Sequence, residues 1–220
     1  MLTLGIISGL LQIVGYWFYL RDENIDPNPV SWFMFAYGTA LLVILEWDKS
    51  ATVPELIVPI VCAVLSIIVS IRCWIKSRKN NPQQWWPRDW WPEDFWEKWS
   101  FISDIFITIG YILAWVLTFA AFISNETRLL AAFMFLFLSN LSSFPSFYPI
   151  LNTTYKNPRR ENPLPWFIWT SAYVLLGYIT FVTHGEFLHI LMFYPVSCAI
   201  LHALVAIFAM RSTVIKSVKS

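Results

Sequence analysis

The sequence predicts an all-α polytopic membrane protein, with seven transmembrane helices in a 3+1+3 parallel repeat. Three observations lead there. The 220 residues are 57% hydrophobic and only 13% charged, against about 25% charged in an ordinary soluble domain. Seven apolar stretches can be drawn, at 2–20, 30–47, 54–75, 101–123, 129–151, 164–183 and 187–210, each near the ~20 residues that cross a ~30 Å hydrocarbon layer. Finally, short stretches return in the same order. Asn28-Pro29-Val30-Ser31-Trp32-Phe33 comes back as Asn162-Pro163-Leu164-Pro165-Trp166-Phe167, and Pro59-Ile60-Val61-Cys62-Ala63-Val64-Leu65 as Pro195-Val196-Ser197-Cys198-Ala199-Ile200-Leu201. A weaker match pairs Gly15-Tyr16-Trp17 with Ser146-Phe147-Tyr148; the offsets of 134, 136 and 131 residues put small insertions in the loops.

In lipid the backbone must satisfy its own hydrogen bonds, so each stretch is read as a helix. Several are rich in Val, Ile and Phe, but their length and lack of strict alternation argue against a barrel. The first begins at Leu2 with no basic segment before it and no small-residue cleavage site after it, so it is read as a retained span. Asn28-Pro29 and Asn162-Pro163 open the second and sixth, Asn as N-cap and Pro in the first turn. Pro59 and Pro195 are bending points in the third and seventh. The fourth, Phe101 to Ile123, has no counterpart. Four helices separate the copies, so both cross in the same direction, related by a pseudo-two-fold along the membrane normal. The chain divides into a first three-helix bundle (1–76), a Trp-rich loop plus linker helix (77–123), and a second bundle with a short basic tail (124–220).

Charge sets the orientation. The 1–2, 3–4 and 5–6 loops and the C-terminus carry thirteen Lys or Arg, while the other face has only Lys49 and Arg128. The positive-inside rule puts the C-terminus in the cytosol and the N-terminus outside.

A 3+1+3 parallel layout with an outside N-terminus resembles the SWEET sugar transporters and the wider PQ-loop superfamily. Gly15-Tyr16-Trp17-Phe18-Tyr19-Leu20-Arg21-Asp22 followed by Ser31-Trp32, and Tyr155-Lys156-Asn157-Pro158-Arg159-Arg160-Glu161-Asn162, look like poorly characterised bacterial SWEET-like proteins. The resemblance implies a solute transporter in a bacterial inner membrane. The chain departs from the pattern in two ways. No Pro-Gln pair stands in helices 1 and 5, where Gln12, Pro145 and Pro149 occur separately. Where the sugar transporters have Pro-Asn, Pro59 and Pro195 are followed by Ile60 and Val196, which cannot hydrogen-bond a hydroxyl.

Polar groups deep in spans are costly and so are site candidates. Asn140 fits either a substrate-binding amide or an interhelical hydrogen bond. His202 matches Ser66 in the repeat and fits either a protonation switch or a neutral packing residue. Trp32 and Trp166, with Trp169 a turn further, sit where the interfacial aromatic belt is expected; stacking on a substrate is the other role they suit. Tyr37, Thr39, Ser171 and Tyr173 occupy matching parts of helices 2 and 6 and could face the gap between repeats. Substrate binding is therefore assigned to Asn140, His202, Trp32, Trp166, Tyr37, Tyr173 and Ser66. Arg159, Arg160 and Glu161 read as an interface anchor with local pairing, and Asp104 and Glu46, near span ends, suit solvated or capping roles. The absence of a deep acidic pair favours uniport.

Trp85, Trp86, Trp90, Trp91, Trp96 and Trp99 stand among charges and prolines in the 3–4 loop. That mixture suits a membrane-surface helix, or alternatively a docking surface on a non-transporting receptor or interaction protein. No nucleophile or phosphate-loop motif occurs, and the chain is not read as an enzyme. His189 and His202, thirteen apart, would lie on different sides of one helix, which disfavours a zinc site. No cofactor, metal or nucleic acid is implied. The partners are the lipid bilayer and a small polar solute, with homo-oligomers left open.

Overall fold

The computed structural model describes residues 1–22, 29–80 and 95–217. Among the described residues there are seven α-helices: α1 (Leu2–Arg21), α2 (Pro29–Asp48), α3 (Val53–Asn80), α4 (Phe95–Phe119), α5 (Asn125–Lys156), α6 (Pro163–His184) and α7 (Phe193–Ser217). Short 3-10 turns at Pro158–Arg160 and Ile190–Met192 precede α6 and α7. All seven helices are long and apolar enough to cross a membrane. Asn28 and Trp85, Trp86, Trp90 and Trp91 lie outside the described residues, so the readings placed on them do too.

Several boundaries differ from the hydropathy reading. Among the described residues, helix α4 begins at Phe95, six residues before the apolar stretch that opens at Phe101, and carries Glu97 buried at 6% exposure. Helix α5 runs from a cap in which Ser124 Oγ accepts from Thr127 N at 3.2 Å, through Pro145 and Pro149, to Lys156. His184 ends α6, and Gly185 terminates it in the left-handed region at φ 73°, a conformation that costs glycine little. His189 caps the 3-10 turn before α7, so the helical argument that separated it from His202 does not apply. Asn162 opens α6 as the sequence suggests, its side chain accepting from Leu164 N at 3.0 Å with Pro163 in the first turn.

The packing has a regular plan. Helix α3 lies against α1 and α2, and α7 lies against α5 and α6. The two trios meet where α1 packs on α6 and α2 on α5, while α4 packs on α5 and touches α2. The α1–α6 approach is close: a Cβ on Gly15 would lie 2.3 Å from Trp169 Nε1. Side-chain bonds cross between the trios at both ends. At the end with the α2–α3 and α6–α7 connections, Asp48 of α2 pairs with Arg128 of α5 and accepts from Tyr111 of α4 at 3.0 Å. Beside them, Glu55 of α3 meets His184 of α6 at 2.9 Å. At the opposite end, Asn162 donates to Asp22 at 3.0 Å. The outward faces are apolar, as on α4, where Ile102, Phe106 and Ile109 are exposed. This suits a lipid solvent.

Candidate functional site

A cavity lies between the two trios, and every one of the seven helices lines it. The space between its atoms, mouth included, is about 600 Å³, of which about 50 Å³ admits the centre of a water molecule. That is room for ~3–5 waters.

One wall is aromatic. Tyr16 and Trp169 rings lie 4.8 Å apart, Trp32 stands 6.0 Å from Trp169, and Trp166 meets Trp169 edge-on at 5.0 Å. His202 sits inside this group, 4.8 Å from Tyr173 and 5.3 Å from Trp166. Its Nδ1 lies 2.7 Å from the Cys198 carbonyl, an acceptor only, so Nδ1 carries the proton. In the neutral ring, Nε2 is then an acceptor. The indoles are held by hydrogen bonds. Trp169 Nε1 donates to Gln12 O at 3.2 Å, Trp166 Nε1 to Glu161 at 2.9 Å, and Trp32 Nε1 to the Tyr19 hydroxyl at 3.2 Å. Tyr19 in turn donates to Glu161 at 3.4 Å. Burial pushes the Glu161 carboxyl up to about 7, against the opposing effects of the Trp166 and Tyr19 donors and Arg160.

Another part of the lining is polar. Asp104 of α4 is 2% exposed and accepts from Ser142 Oγ at 2.8 Å through Oδ1. Ser139, Ser142, Ser143 and Ser146 of α5 continue this part. The hydroxyls of Ser142, Ser143 and Ser146 reach carbonyls of their own helix, as Ser146 does the Ser142 carbonyl at 2.9 Å. Such back-bonding satisfies a hydroxyl in an apolar layer.

Of the residues the sequence singled out, the cavity brings together Trp32, Trp166, Tyr173 and His202, with Thr39 beside them. Ser66 stands behind Tyr16, whose hydroxyl lies 2.7 Å from Ser66 Oγ. Tyr37 bonds across to Thr108 at 2.5 Å, and Ser171 to the Phe167 carbonyl of its own helix at 3.0 Å. Asn140 donates to the Leu136 carbonyl one turn back at 2.9 Å; its Oδ1 is buried without a partner, and it is not among the cavity residues.

Three readings need correction. Trp32 and Trp166 are 2% and 0% exposed, so they are interior residues and not an interfacial belt. The starts of α2 and α6 face each other across α1 and turn these indoles inward. Glu161 is 7% exposed and bonded to two aromatic donors, so it is no surface anchor. Asp104 and Glu46 are also buried, at 2% and 3%. Asp104 moves inward because α4 begins six residues before the predicted Phe101. Glu46 shares a small pocket of about 180 Å³ with Glu55, so an acidic pair is present near one end of the bundle. There His184 stacks on His189 at 4.0 Å, and burial, with His184 second, holds His189 below its ordinary value.

Sequence reasoning did not single out Tyr16, Tyr19 or Glu161 as parts of this site. A Glu directly before a repeated Asn-Pro and five residues ahead of a repeated Trp was the available signal for Glu161. No family model matches the chain, and no curated protein or solved structure matches it either.

Proposed function

We propose that the protein is a SWEET-like transporter that moves a small polar solute by alternating access between the α1–α3 and α5–α7 bundles. The observation that carries this reading is the cavity itself, lined from all seven helices where two three-helix sets meet. The packing plan supports a parallel repeat. Exchanging α1 with α5, α2 with α6 and α3 with α7 turns the α1–α6 contact into α5–α2, and the contacts of α3 with α1 and α2 into those of α7 with α5 and α6; the contact of α3 with α6 has no such counterpart. Helix α4 is then the linker that lets a three-helix unit be duplicated in one direction. The inter-bundle bonds at both ends fit a state closed on both sides: Asp48 with Arg128 and Glu55 with His184 at one, Asn162 with Asp22 at the other. Rocking one bundle against the other would break one set while keeping the other.

The split of basic residues, thirteen against two, supports an N-terminus outside and a C-terminus in the cytosol, and the resemblance to bacterial SWEET-like proteins is what points to a bacterial inner membrane. The test is uptake of a panel of radiolabelled small solutes into proteoliposomes. Saturable uptake abolished by a disulfide across the bundles supports the reading. No uptake above empty liposomes for any solute would remove it. An experimental structure whose halves do not superpose would remove the repeat.

A further inference from the structure

We propose that the solute the cavity takes is a compact organic cation, an amine or quaternary ammonium, with Asp104 as its counter-charge and the aromatic rings of the same cavity as its cage. This rests on the reading of the cavity as the solute site.

Asp104 is the one carboxylate among the cavity residues, and no Lys or Arg joins it there. Only one of its oxygens is used: Oδ1 accepts from Ser142, and no described residue donates to Oδ2. The residue opposite Oδ2 is Gly38, where even a Cβ would come within 3.3 Å. Glycine there leaves the oxygen uncovered on the cavity side. A carboxylate in a membrane interior is costly unless paired. The protein offers it a hydroxyl and an open volume, so a cation in that volume completes the pair.

The aromatic part of the lining is what a cation requires. Trp32, Trp166, Trp169, Tyr16 and Tyr173 line the same space, and their π faces attract ammonium groups. Desolvation strengthens that attraction. His202, donating through Nδ1, leaves Nε2 as an acceptor for an ammonium N–H. The same walls suit a neutral sugar poorly. The Ser143 and Ser146 hydroxyls donate to carbonyls of their own helix, and the Ser142 hydroxyl donates to Asp104.

The experiment compares choline, tetramethylammonium and methylammonium with 3,3-dimethylbutan-1-ol, the uncharged carbon isostere of choline. The purified full chain is titrated at constant ionic strength. Tryptophan fluorescence reads the cavity indoles, and melting temperature reads linkage. At least one cation should bind saturably and raise the melting temperature, with the isostere at least 10-fold weaker than choline if choline binds. Asp104→Asn keeps an oxygen for Ser142 to donate to and should lose 10-fold or more in cation affinity. Should Asp104→Asn fail to fold, Gly38→Ala serves instead: it keeps the charge, crowds Oδ2, and should weaken cation binding several-fold. Binding of choline and its isostere alike, wild-type cation affinity in the variant that folds, or binding by none of the three cations would overturn the proposal. If a neutral solute is taken up while no cation binds, this inference fails and the transport reading stands. If cations bind but no solute crosses, transport fails and the cation site stands.

Discussion

Glu161 and Trp166, five residues apart, are joined by a 2.9 Å hydrogen bond from the indole N–H to the carboxylate. Tyr19 of α1 bonds to the other carboxylate oxygen, so one buried acid ties α1 to the start of α6. Its partners hold the aromatic wall in place, and its carboxyl is raised by burial to about 7. The group therefore binds its proton more tightly in the folded than in the unfolded chain. Stability from this source is complete below the ordinary carboxylate value and is lost as pH rises toward 7, at up to ~1.4 kcal/mol per pH unit. Melting temperature in detergent should fall between pH 5 and pH 7.5, and Glu161→Gln should flatten that slope. An unchanged slope in Glu161→Gln would place its origin elsewhere.

The Asp48–Arg128 pair joins α2 to α5 with both side chains mostly buried, 11% and 7% exposed. Removing one partner strands the other. Arg128→Ala or Asp48→Ala should each cost about 3 kcal/mol, the low end for breaking a buried pair. The double variant should cost less than the two singles together. Additive losses in a double-mutant cycle would show that the two do not act as a pair.

Gly15→Ala places a methyl 2.3 Å from Trp169 Nε1. The ring must move and its bond to Gln12 O must lengthen. The expected loss is about 1–3 kcal/mol, typical of overpacking, with a shifted tryptophan emission. A melting temperature equal to wild type would show that the α1–α6 interface is looser than drawn.

Asn140→Leu should leave both solute affinity and melting temperature near wild type. It removes a buried oxygen that has no partner and a bond made only within α5. A large drop in affinity would put Asn140 in the solute path.

Asn125→Cys should react with a membrane-impermeant maleimide added outside intact cells, and Pro158→Cys should not. The native Cys62, Cys73 and Cys198 are buried and give little background. The reverse pattern would invert the topology.

The helix count was legible because lipid forces each apolar run to satisfy its own backbone. Boundaries were less so. Glu97 made α4 look shorter than it is, since hydropathy counts an acid as an end even when the acid faces inward. The repeat marked Trp32 and Trp166, and the cavity holds both. Depth along a span pointed to Asn140, but depth says nothing of rotation, and its amide faces its own helix. Asp104 was missed for the boundary reason, and Glu161 because a run of charges before a helix looks solvated until Tyr19 and Trp166 are seen to cover it.

The bonds between α1 and α6 also bear on how the protein is made. Ser8 donates to the carbonyl of Ala172 at 2.6 Å, a partner 164 residues downstream. Gln12 O receives Trp169, which is almost as distant in the chain. Helix α1 leaves the ribosome well ahead of α6, so it enters the bilayer long before those partners exist. Until α6 arrives, its Ser8 hydroxyl must be satisfied by its own backbone, by water or by the insertion machinery. The bundle is finished only when its sixth helix docks on its first. A chain stalled before α6 would present the α1 face to quality-control proteases.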